Sequence, residues 1–288
     1  MYQRSELFFN SFDGAKLFMQ KWSKQNADGT VLFTHGHGEH SECYHRLISE
    51  FDKSSTTNWN FIGWDLRGHG KSDGPRGYAK DFTQYVLDYD VFLEKTLGLK
   101  EVNDKPVILL AHSMGGLIQT SGLIEKNYPA HFPIIKAQVL SSPFFGLAFE
   151  VSKWKDSGAD LMNILLPKLT LGNELGNDQL TRDESIIREY ELDPYRHSRM
   201  SPGVYIGFKK EFPKVLARAS EITLPTYLHI SDHDPVVSSE AALKIFDAFS
   251  SEVKGLKIIE GGRHELYNDI VRTEVIKDVI HFMDNFKK

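Results

Sequence analysis

Ser113 lies in a sequence context that suits a nucleophile. An apolar run, Val107–Leu110, leads into the segment Ala-His-Ser-Met-Gly-Gly, which ends at Gly116. A strand that turns sharply into a helix holds such a serine in strained backbone geometry, and small residues must flank it. Ala111 occupies a position where glycine is usual, so its methyl group adds bulk to a crowded turn. We predict that Ser113 is the nucleophile and that the backbone N–H of Met114 is an oxyanion donor.

A serine hydroxyl needs a base to take its proton and an acid to orient that base. After a turn of this kind, the acid and the histidine follow the serine in chain order. Asp234 follows the apolar run Pro225–Ile230, and His264 follows the apolar run Leu256–Ile259. Because an open α/β sheet builds its site at the carboxyl ends of its strands, we predict Asp234 as the acid and His264 as the base. Asp232 is an alternative acid, but its position better suits a turn cap.

The loop of residues 35–40 alternates histidine with glycine after the apolar run Val31–Thr34. Glycine lets a backbone approach a ligand closely, so we predict that the N–H of His37 is the second oxyanion donor. We expect the side chains of His35 and Glu39 to hold the loop by hydrogen bonds. The loop lacks the helical i, i+4 spacing of common metal motifs, so we expect no metal site here, and the predicted chemistry needs no cofactor.

The elements that must position these residues follow an alternating pattern. Short apolar runs alternate with longer helical patterns, which predicts a mostly parallel sheet covered by helices on both faces. The Asp13-Gly14 pair predicts a tight hairpin between the first two strands. The predicted strands are Leu7–Phe12, Leu17–Trp22, Val31–Thr34, Phe61–Trp64, Val107–Leu110, Ala137–Leu140, Pro225–Ile230 and Leu256–Ile259. The predicted helices are Phe82–Leu97, Leu117–Lys126, Ser239–Phe249 and Asn268–Phe286.

Residues 144–218 interrupt this alternation. A structureless loop of that length is uncommon in a compact domain, so we predict a helical cap inserted into a core made of residues 1–143 and 219–288. The apolar run Leu161–Leu171 suits an acyl tunnel or a lipid-facing surface, and it equally suits the interior of the cap itself. The candidate substrate contacts in the cap are Phe144, Phe145, Phe149, Trp154 and Leu165.

Composition excludes several classes of function. A net charge of −5 gives no general attraction to nucleic acid. Cys43 is the single cysteine, so an intrachain disulfide is excluded, which fits a reducing compartment. We see no signal peptide and no run near the roughly 20 apolar residues of a membrane span. We therefore expect a cytoplasmic protein with peripheral membrane contact through the cap left open; the sequence does not indicate the oligomeric state.

Several of these segments together resemble the monoacylglycerol lipase and lysophospholipase branch of the α/β-hydrolases. The Gly-Glu-His-Ser stretch favours that branch, whereas the Arg-Gly-His-Gly-x-Ser stretch is shared by many members of the fold. The likeness lies in residues 35–41, 65–73 and 112–116, the Asp234 loop and His264. The resemblance implies an eight-stranded sheet with a helical cap. It also implies a catalytic triad and two oxyanion donors, placed by position at Ser113, Asp234, His264, His37 and Met114.

These observations predict a serine hydrolase that cleaves esters of single-chain acyl lipids, either a lysophospholipid or a monoacylglycerol, through an acyl-enzyme. A short-chain carboxylesterase or thioesterase is an alternative. Dehalogenases and epoxide hydrolases of this fold are disfavoured because they use aspartate where this chain has Ser113. A non-catalytic binding protein is a further alternative, disfavoured because no triad member is missing.

Overall fold

The protein is built on an eight-stranded sheet. The structure, a computed structural model, describes residues 1–54, 57–149, 153–172 and 175–287, without the side chains of residues 153–157. The strands are β1 (Gln3–Asn10), β2 (Lys16–Ser23), β3 (Gly29–Thr34), β4 (Trp59–Trp64), β5 (Val107–His112), β6 (Ile135–Ser141), β7 (Thr226–Ser231) and β8 (Lys254–Ile259). Their spatial order is β1-β2-β4-β3-β5-β6-β7-β8. β2 runs antiparallel to both neighbours, and all other pairs are parallel.

Helices cover both faces of the sheet. The longer ones are α1 (His45–Lys53), α2 (Thr83–Leu97), α3 (Met114–Lys126), α4 (Lys153–Leu165), α5 (Glu184–Leu192), α6 (Pro202–Arg218), α7 (Ser239–Ala248) and α8 (Arg272–Asp284). Single helical turns lie at Lys100–Asn103, Tyr128–His131 and Asn177–Leu180, and 3-10 turns lie at Ser41–Tyr44, Ala219–Glu221 and Leu266–Asn268.

Two apolar cores lie on opposite faces of the sheet. Successive side chains of a strand point to opposite faces. In β5, Leu109 packs into the core beneath α2, α3, α6 and α7, while Ile108 and Leu110 pack into the core beneath α1 and α8. Every residue of β3 and β5 is buried. Burial on both faces explains why the central strands are continuous apolar runs.

All eight predicted strands are present, with most ends shifted by up to two residues, but the first hairpin differs from the prediction. β1 begins four residues earlier than predicted because an edge strand tolerates polar side chains. Arg4 is one of these, and it hydrogen-bonds to Gln20 of β2 at 2.6 Å. The connection is a loop of residues 11–15, rather than a two-residue turn, with Gly14 at φ +86°.

α1 was absent from the sequence prediction. Its buried residues are Leu47, Ile48 and Phe51, which lie on one face at helical spacing. The sequence therefore contained the signal for this helix, in a stretch whose other residues are mostly polar.

The segment between β6 and β7 carries α4, α5 and α6 and a two-stranded pair, Leu171–Gly172 with Arg199–Met200. α4 packs on α6, and α6 packs in turn on α3 of the core. The same helix also contributes Val204, Phe208 and Val215 to a core of the sheet. Within the described residues, no helix combines the length and the apolar character that crossing a bilayer requires.

Candidate active site

Ser113 occupies the sharp turn between β5 and α3. Its backbone has φ +50° and ψ −122°, a conformation that is costly for a residue with a side chain. Backbone hydrogen bonds from both sides of the turn hold it, three of them at 3.0 Å or less. Its N–H donates to Ser141 O at 3.0 Å, and its carbonyl accepts from Gly116 N and from Phe144 N, each at 2.9 Å. The neighbouring strand and helix therefore fix the turn that presents the serine side chain to the cavity.

Ala111 fits this turn without strain. It lies inside β5, where it pairs with Thr34 and Leu140, and it is fully buried in the core. Its φ is not positive, in contrast to that of Ser113. The methyl group therefore packs within a regular strand instead of crowding the turn.

The side chains of Ser113, His264 and Asp234 form one hydrogen-bonded chain. His264 Nε2 lies 2.8 Å from Ser113 Oγ, and His264 Nδ1 lies 2.8 Å from Asp234 Oδ2. The other oxygen of Asp234 accepts from the backbone N–H groups of Val236 and Val237 at 2.8 and 3.1 Å. All three side chains are buried. This geometry suits a base that takes a proton from Ser113 while the carboxylate fixes the imidazole ring.

Charge interactions set the pKa values of His264 and Asp234. Burial alone would lower the pKa of His264, but the charge and hydrogen bond of Asp234 outweigh it, so that the pKa is raised above its ordinary value. Burial likewise opposes ionisation of Asp234, yet His264 and the two backbone donors keep its pKa below the usual range. The carboxylate is therefore ionised where the imidazole gains or loses its proton.

A second buried pair lies directly beside His264. Glu265 forms an ion pair with Arg196 of the inserted segment and accepts a hydrogen bond from the hydroxyl of Tyr190. Burial raises the pKa of Glu265, but Arg196 outweighs this and brings the pKa to about 2. For Glu39, burial and then the charge of Glu265 raise the pKa to about 7. Sequence reasoning missed Arg196 and Tyr190, since they lie 69 and 75 residues from Glu265.

The loop of residues 35–40 is held as predicted. His35 Nδ1 donates to Gly36 O at 2.6 Å, and its Nε2 accepts from Leu66 N at 2.9 Å. Glu39 Oε1 accepts from Gly36 N at 2.5 Å and from the Tyr44 hydroxyl at 3.1 Å. The expected role of His35 and Glu39 in holding the loop is confirmed.

This loop lies against the serine. A methyl group at Gly36 would lie 2.9 Å from Cβ of Ser113, so only glycine permits this approach. His37 and Met114, the two predicted oxyanion donors, border the same cavity as Ser113.

The cavity above Ser113 has a volume of about 930 Å³, within the usual range for small-molecule sites. His264 and Glu265 are among the polar residues that line it. The inserted segment supplies much of the remaining wall, which is mainly apolar. Its apolar lining includes Phe144, Leu147, Met162, Leu171, Leu175, Leu180, Met200, Phe208, Val236 and Val237.

Only some of the predicted substrate contacts of the cap line the cavity in the structure. Phe144 and Phe149 line the cavity. Phe145 is not among the described lining residues, and its side chain packs, as that of Phe144 also does, into the core beneath α2, α3, α6 and α7. Leu165 is also absent from that lining, since it lies at the end of α4 with 66% of its surface exposed. The side chain of Trp154 lies outside the described residues.

Comparison with known proteins places this chain in a family. Residues 25–270 match the family described as serine aminopeptidase, S33. A monoacylglycerol lipase of Mycolicibacterium smegmatis is 29% identical over 284 residues, which cover 96% of this chain and 95% of that protein. The phospholipase YtpA of Bacillus subtilis is 26% identical over 269 residues, covering 93% of this chain and all of that protein.

Solved structures agree on the fold. A soluble variant of the monoglyceride lipase of Saccharomyces cerevisiae, in complex with a substrate analogue, has a TM-score of 0.84 at 23% identity and covers 98% of this chain and 95% of its own. The monoacylglycerol lipase of Paleococcus ferrophilus has a TM-score of 0.78 at 22% identity, with both chains fully covered. The chain belongs to the serine aminopeptidase S33 family and, within the α/β-hydrolases, to the monoacylglycerol lipase and lysophospholipase branch.

Proposed function

We propose that the protein hydrolyses carboxylic esters of single-chain acyl lipids, a monoacylglycerol or a lysophospholipid. The observation that carries the proposal is the hydrogen-bonded chain from Ser113 through His264 to Asp234, in which Ser113 and His264 line a largely apolar cavity. An apolar wall removes an acyl chain from water at a gain of roughly 0.8 kcal/mol per buried CH₂. The names of two relatives, a monoacylglycerol lipase and a phospholipase, indicate hydrolysis of acyl-lipid esters, which further supports the proposal.

The reaction has two stages. Ser113 Oγ attacks the ester carbonyl while His264 Nε2 takes its proton, and the oxyanion lies between the N–H groups of His37 and Met114. The imidazolium then protonates the departing alcohol, which leaves an acyl group on the serine. Water attacks this ester with His264 as base, and the fatty acid leaves. Asp234 holds the imidazole orientation in both stages.

Residues 144–218 act as a cap over the site in this proposal. α4 presents Leu161, Ile164 and Leu165 to solvent with exposed fractions of 59, 76 and 66%, while Met162 of the same helix lines the cavity. Exposed apolar side chains on such a helix suit contact with a lipid surface. We therefore propose peripheral membrane contact at this face, which would place the cavity close to its substrate.

Hydrolysis of a substrate panel by wild type, Ser113→Ala and Ser121→Ala tests the function. The panel comprises 1-monoacylglycerol, lysophosphatidylcholine, short- and long-chain p-nitrophenyl esters, an acyl thioester and an aminoacyl p-nitroanilide. We expect wild type to prefer a long-chain lipid ester and Ser113→Ala to lose at least about 10⁴-fold in kcat/KM. Ser121 is the matched control, since its buried hydroxyl on α3 has no hydrogen-bond partner among the described residues.

Other results of the substrate panel would favour the alternative functions. Preference for short esters or the thioester would favour a carboxylesterase or thioesterase, and preference for the anilide would favour a peptidase. Folded wild type that neither hydrolyses the panel nor reacts with a fluorophosphonate at Ser113 would favour a binding protein. Full activity in Ser113→Ala would refute the mechanism.

A further inference from the structure

Three histidines from separate segments meet beside the oxyanion loop. His37 belongs to the loop of residues 35–40, His69 follows β4, and His197 lies between α5 and α6. A ring nitrogen of each lies within 4.8 Å of a ring nitrogen of the other two. Nitrogen ligands of a tetrahedral zinc ion lie about 3.4 Å apart, so small ring movements would bring these atoms to ligand spacing.

Each of the three rings donates one N–H to a backbone carbonyl. His37 Nε2 lies 2.9 Å from Arg199 O, His69 Nδ1 lies 2.9 Å from Arg67 O, and His197 Nε2 lies 3.1 Å from Gly68 O. A carbonyl only accepts, so these contacts assign the protonated nitrogen of every ring. Metal-binding histidines show the same arrangement, in which the second nitrogen donates to a carbonyl or carboxylate and fixes the tautomer.

The remaining nitrogens carry lone pairs. His37 Nδ1 and His69 Nε2 are buried and have no hydrogen-bond partner among the described residues. His197 Nδ1 accepts only a long contact, at 3.2 Å, from Arg199 N. Buried polar atoms are nearly always paired, so two unpaired lone pairs in one cluster indicate a bound hydrogen-bond donor or a metal ion.

We propose that His37, His69 and His197 bind a divalent transition metal of the zinc class. Imidazole nitrogen is a preferred ligand for zinc, and three such ligands leave the fourth position for water or an anion. The ion would tie the oxyanion loop to the His69 loop and to the inserted segment. Those segments already meet, since His197 N donates to Gly38 O at 3.0 Å.

A nearby positive charge bears on the affinity for zinc, and a second cluster of possible ligands bears on where zinc would bind. Burial, followed by the neighbouring His37 and then the charge of Arg76, lowers the pKa of His197 to about 3, and the charge of Arg76 opposes a bound cation. A second cluster, His40 with Cys43 and Asp193, also has suitable atoms. Its groups are already engaged, because His40 Nε2 lies 2.9 Å from Asp193, and Arg196 Nη1 lies 3.4 Å from Cys43 Sγ.

Zinc binding to the untagged full-length protein tests the proposal. Calorimetric titration with Zn²⁺ should give one ion per chain in wild type, with the affinity reduced more than about tenfold in His197→Ala and His197→Gln. The matched control is His281→Ala, an exposed histidine on α8, which should bind as wild type does. Co²⁺ in place of zinc should give a visible absorption band that both His197 variants lose.

A thermal unfolding series provides a readout independent of activity. Zinc should raise the unfolding midpoint of wild type and of His281→Ala, but not that of the His197 variants, because it stabilises only the form that binds it. Circular dichroism verifies that the variants are folded. No zinc binding by wild type, or equal binding by the folded His197 variants, would overturn the proposal. If His197→Gln retained zinc and Cys43→Ser lost it, the ion would lie at the second cluster, which would also overturn the proposal.

Discussion

Asp232 and Asp234 lie in one loop but have different contacts near His264, the candidate base. Asp232 Oδ1 accepts from Gly261 N at 2.8 Å, and its other oxygen lies 3.0 Å from His233. Asp232 therefore holds the loop that delivers His264, whereas Asp234 contacts the imidazole directly. Because these roles differ, the two carboxylates make a matched pair for substitution.

The pH dependence of hydrolysis should report His264. The base is active only when neutral, and its pKa is raised above 6.5, so kcat/KM should rise with pH through an apparent pKa above that value. Activity is then lost as the pH falls through this raised pKa. The measurement is kcat/KM for a soluble p-nitrophenyl ester from pH 5 to 9.

Asp234→Asn should lower kcat by about 10⁴-fold. It should also move the acid limb of the pH profile of kcat/KM to lower pH, because the charge that raises the pKa of His264 is removed. Asp232→Asn should leave the acid limb in place. If instead Asp232→Asn shifted the limb and Asp234→Asn did not, Asp232 would be the acid.

The start of α3 packs against the end of β3 at backbone contact. A methyl group at Gly115 would lie 2.4 Å from Thr34 O and 2.6 Å from His35 O. This approach brings the turn at Ser113 next to the oxyanion loop. Gly115 is therefore required by helix-to-strand packing rather than by its own backbone angles, because its φ is not positive.

Gly115→Ala should destabilise the protein by about 1–3 kcal/mol, since backbone atoms on the facing strand must move. The measurement is the free energy of unfolding in urea. Gly158→Ala in α4 is the control, as a methyl group there meets nothing within 4 Å and alanine favours a helix by roughly 0.5–1 kcal/mol. Equal stability of Gly115→Ala and wild type would contradict this account of the turn.

The inserted segment contacts the loop that carries His264 and also has an outward apolar face. Arg196 reaches Glu265 beside His264, while α4 places Leu161 and Ile164 in solvent. One segment thus borders the candidate site and carries the surface proposed to meet lipid. The two roles separate experimentally, because neither Leu161 nor Ile164 lines the cavity within the described part of the chain.

The double variant Leu161→Glu, Ile164→Glu should bind lipid vesicles at least about tenfold more weakly than wild type, since each apolar side chain contributes roughly 1.5–3 kcal/mol when buried. Its hydrolysis of a dissolved short-chain p-nitrophenyl ester should be unchanged. Co-sedimentation with phosphatidylcholine vesicles that contain monoacylglycerol provides the measurement.

Val253→Glu controls for added charge. Val253 is 49% exposed and precedes β8, at the sheet edge opposite the carboxyl ends of the parallel strands. This variant should bind vesicles as wild type does, and equal losses in both proteins would argue against contact through α4.

The sequence alone determined the turn at Ser113 and the central strands. The strand, the turn and the helix are contiguous, so local spacing shows them directly. The apolar runs of β3 and β5 are continuous because both faces of these strands are buried. Asp234 and His264 were predictable because each closely follows a recognisable strand, and parallel strands bring their carboxyl ends to one edge.

Only the tertiary structure decided which distant side chains meet. Arg196 lies 69 residues from Glu265, and His197 lies 129 residues from Gly68, so no periodicity connects them. Phe144 and Phe145 are adjacent in sequence and both pack into the core, yet only Phe144 also lines the cavity within the described residues. Spacing within the loop of residues 35–40 disfavoured a metal site, and only the folded chain brings His69 and His197 to His37. The physical reason is that chain closure and packing fix such contacts, whereas sequence spacing reports only neighbours along one element.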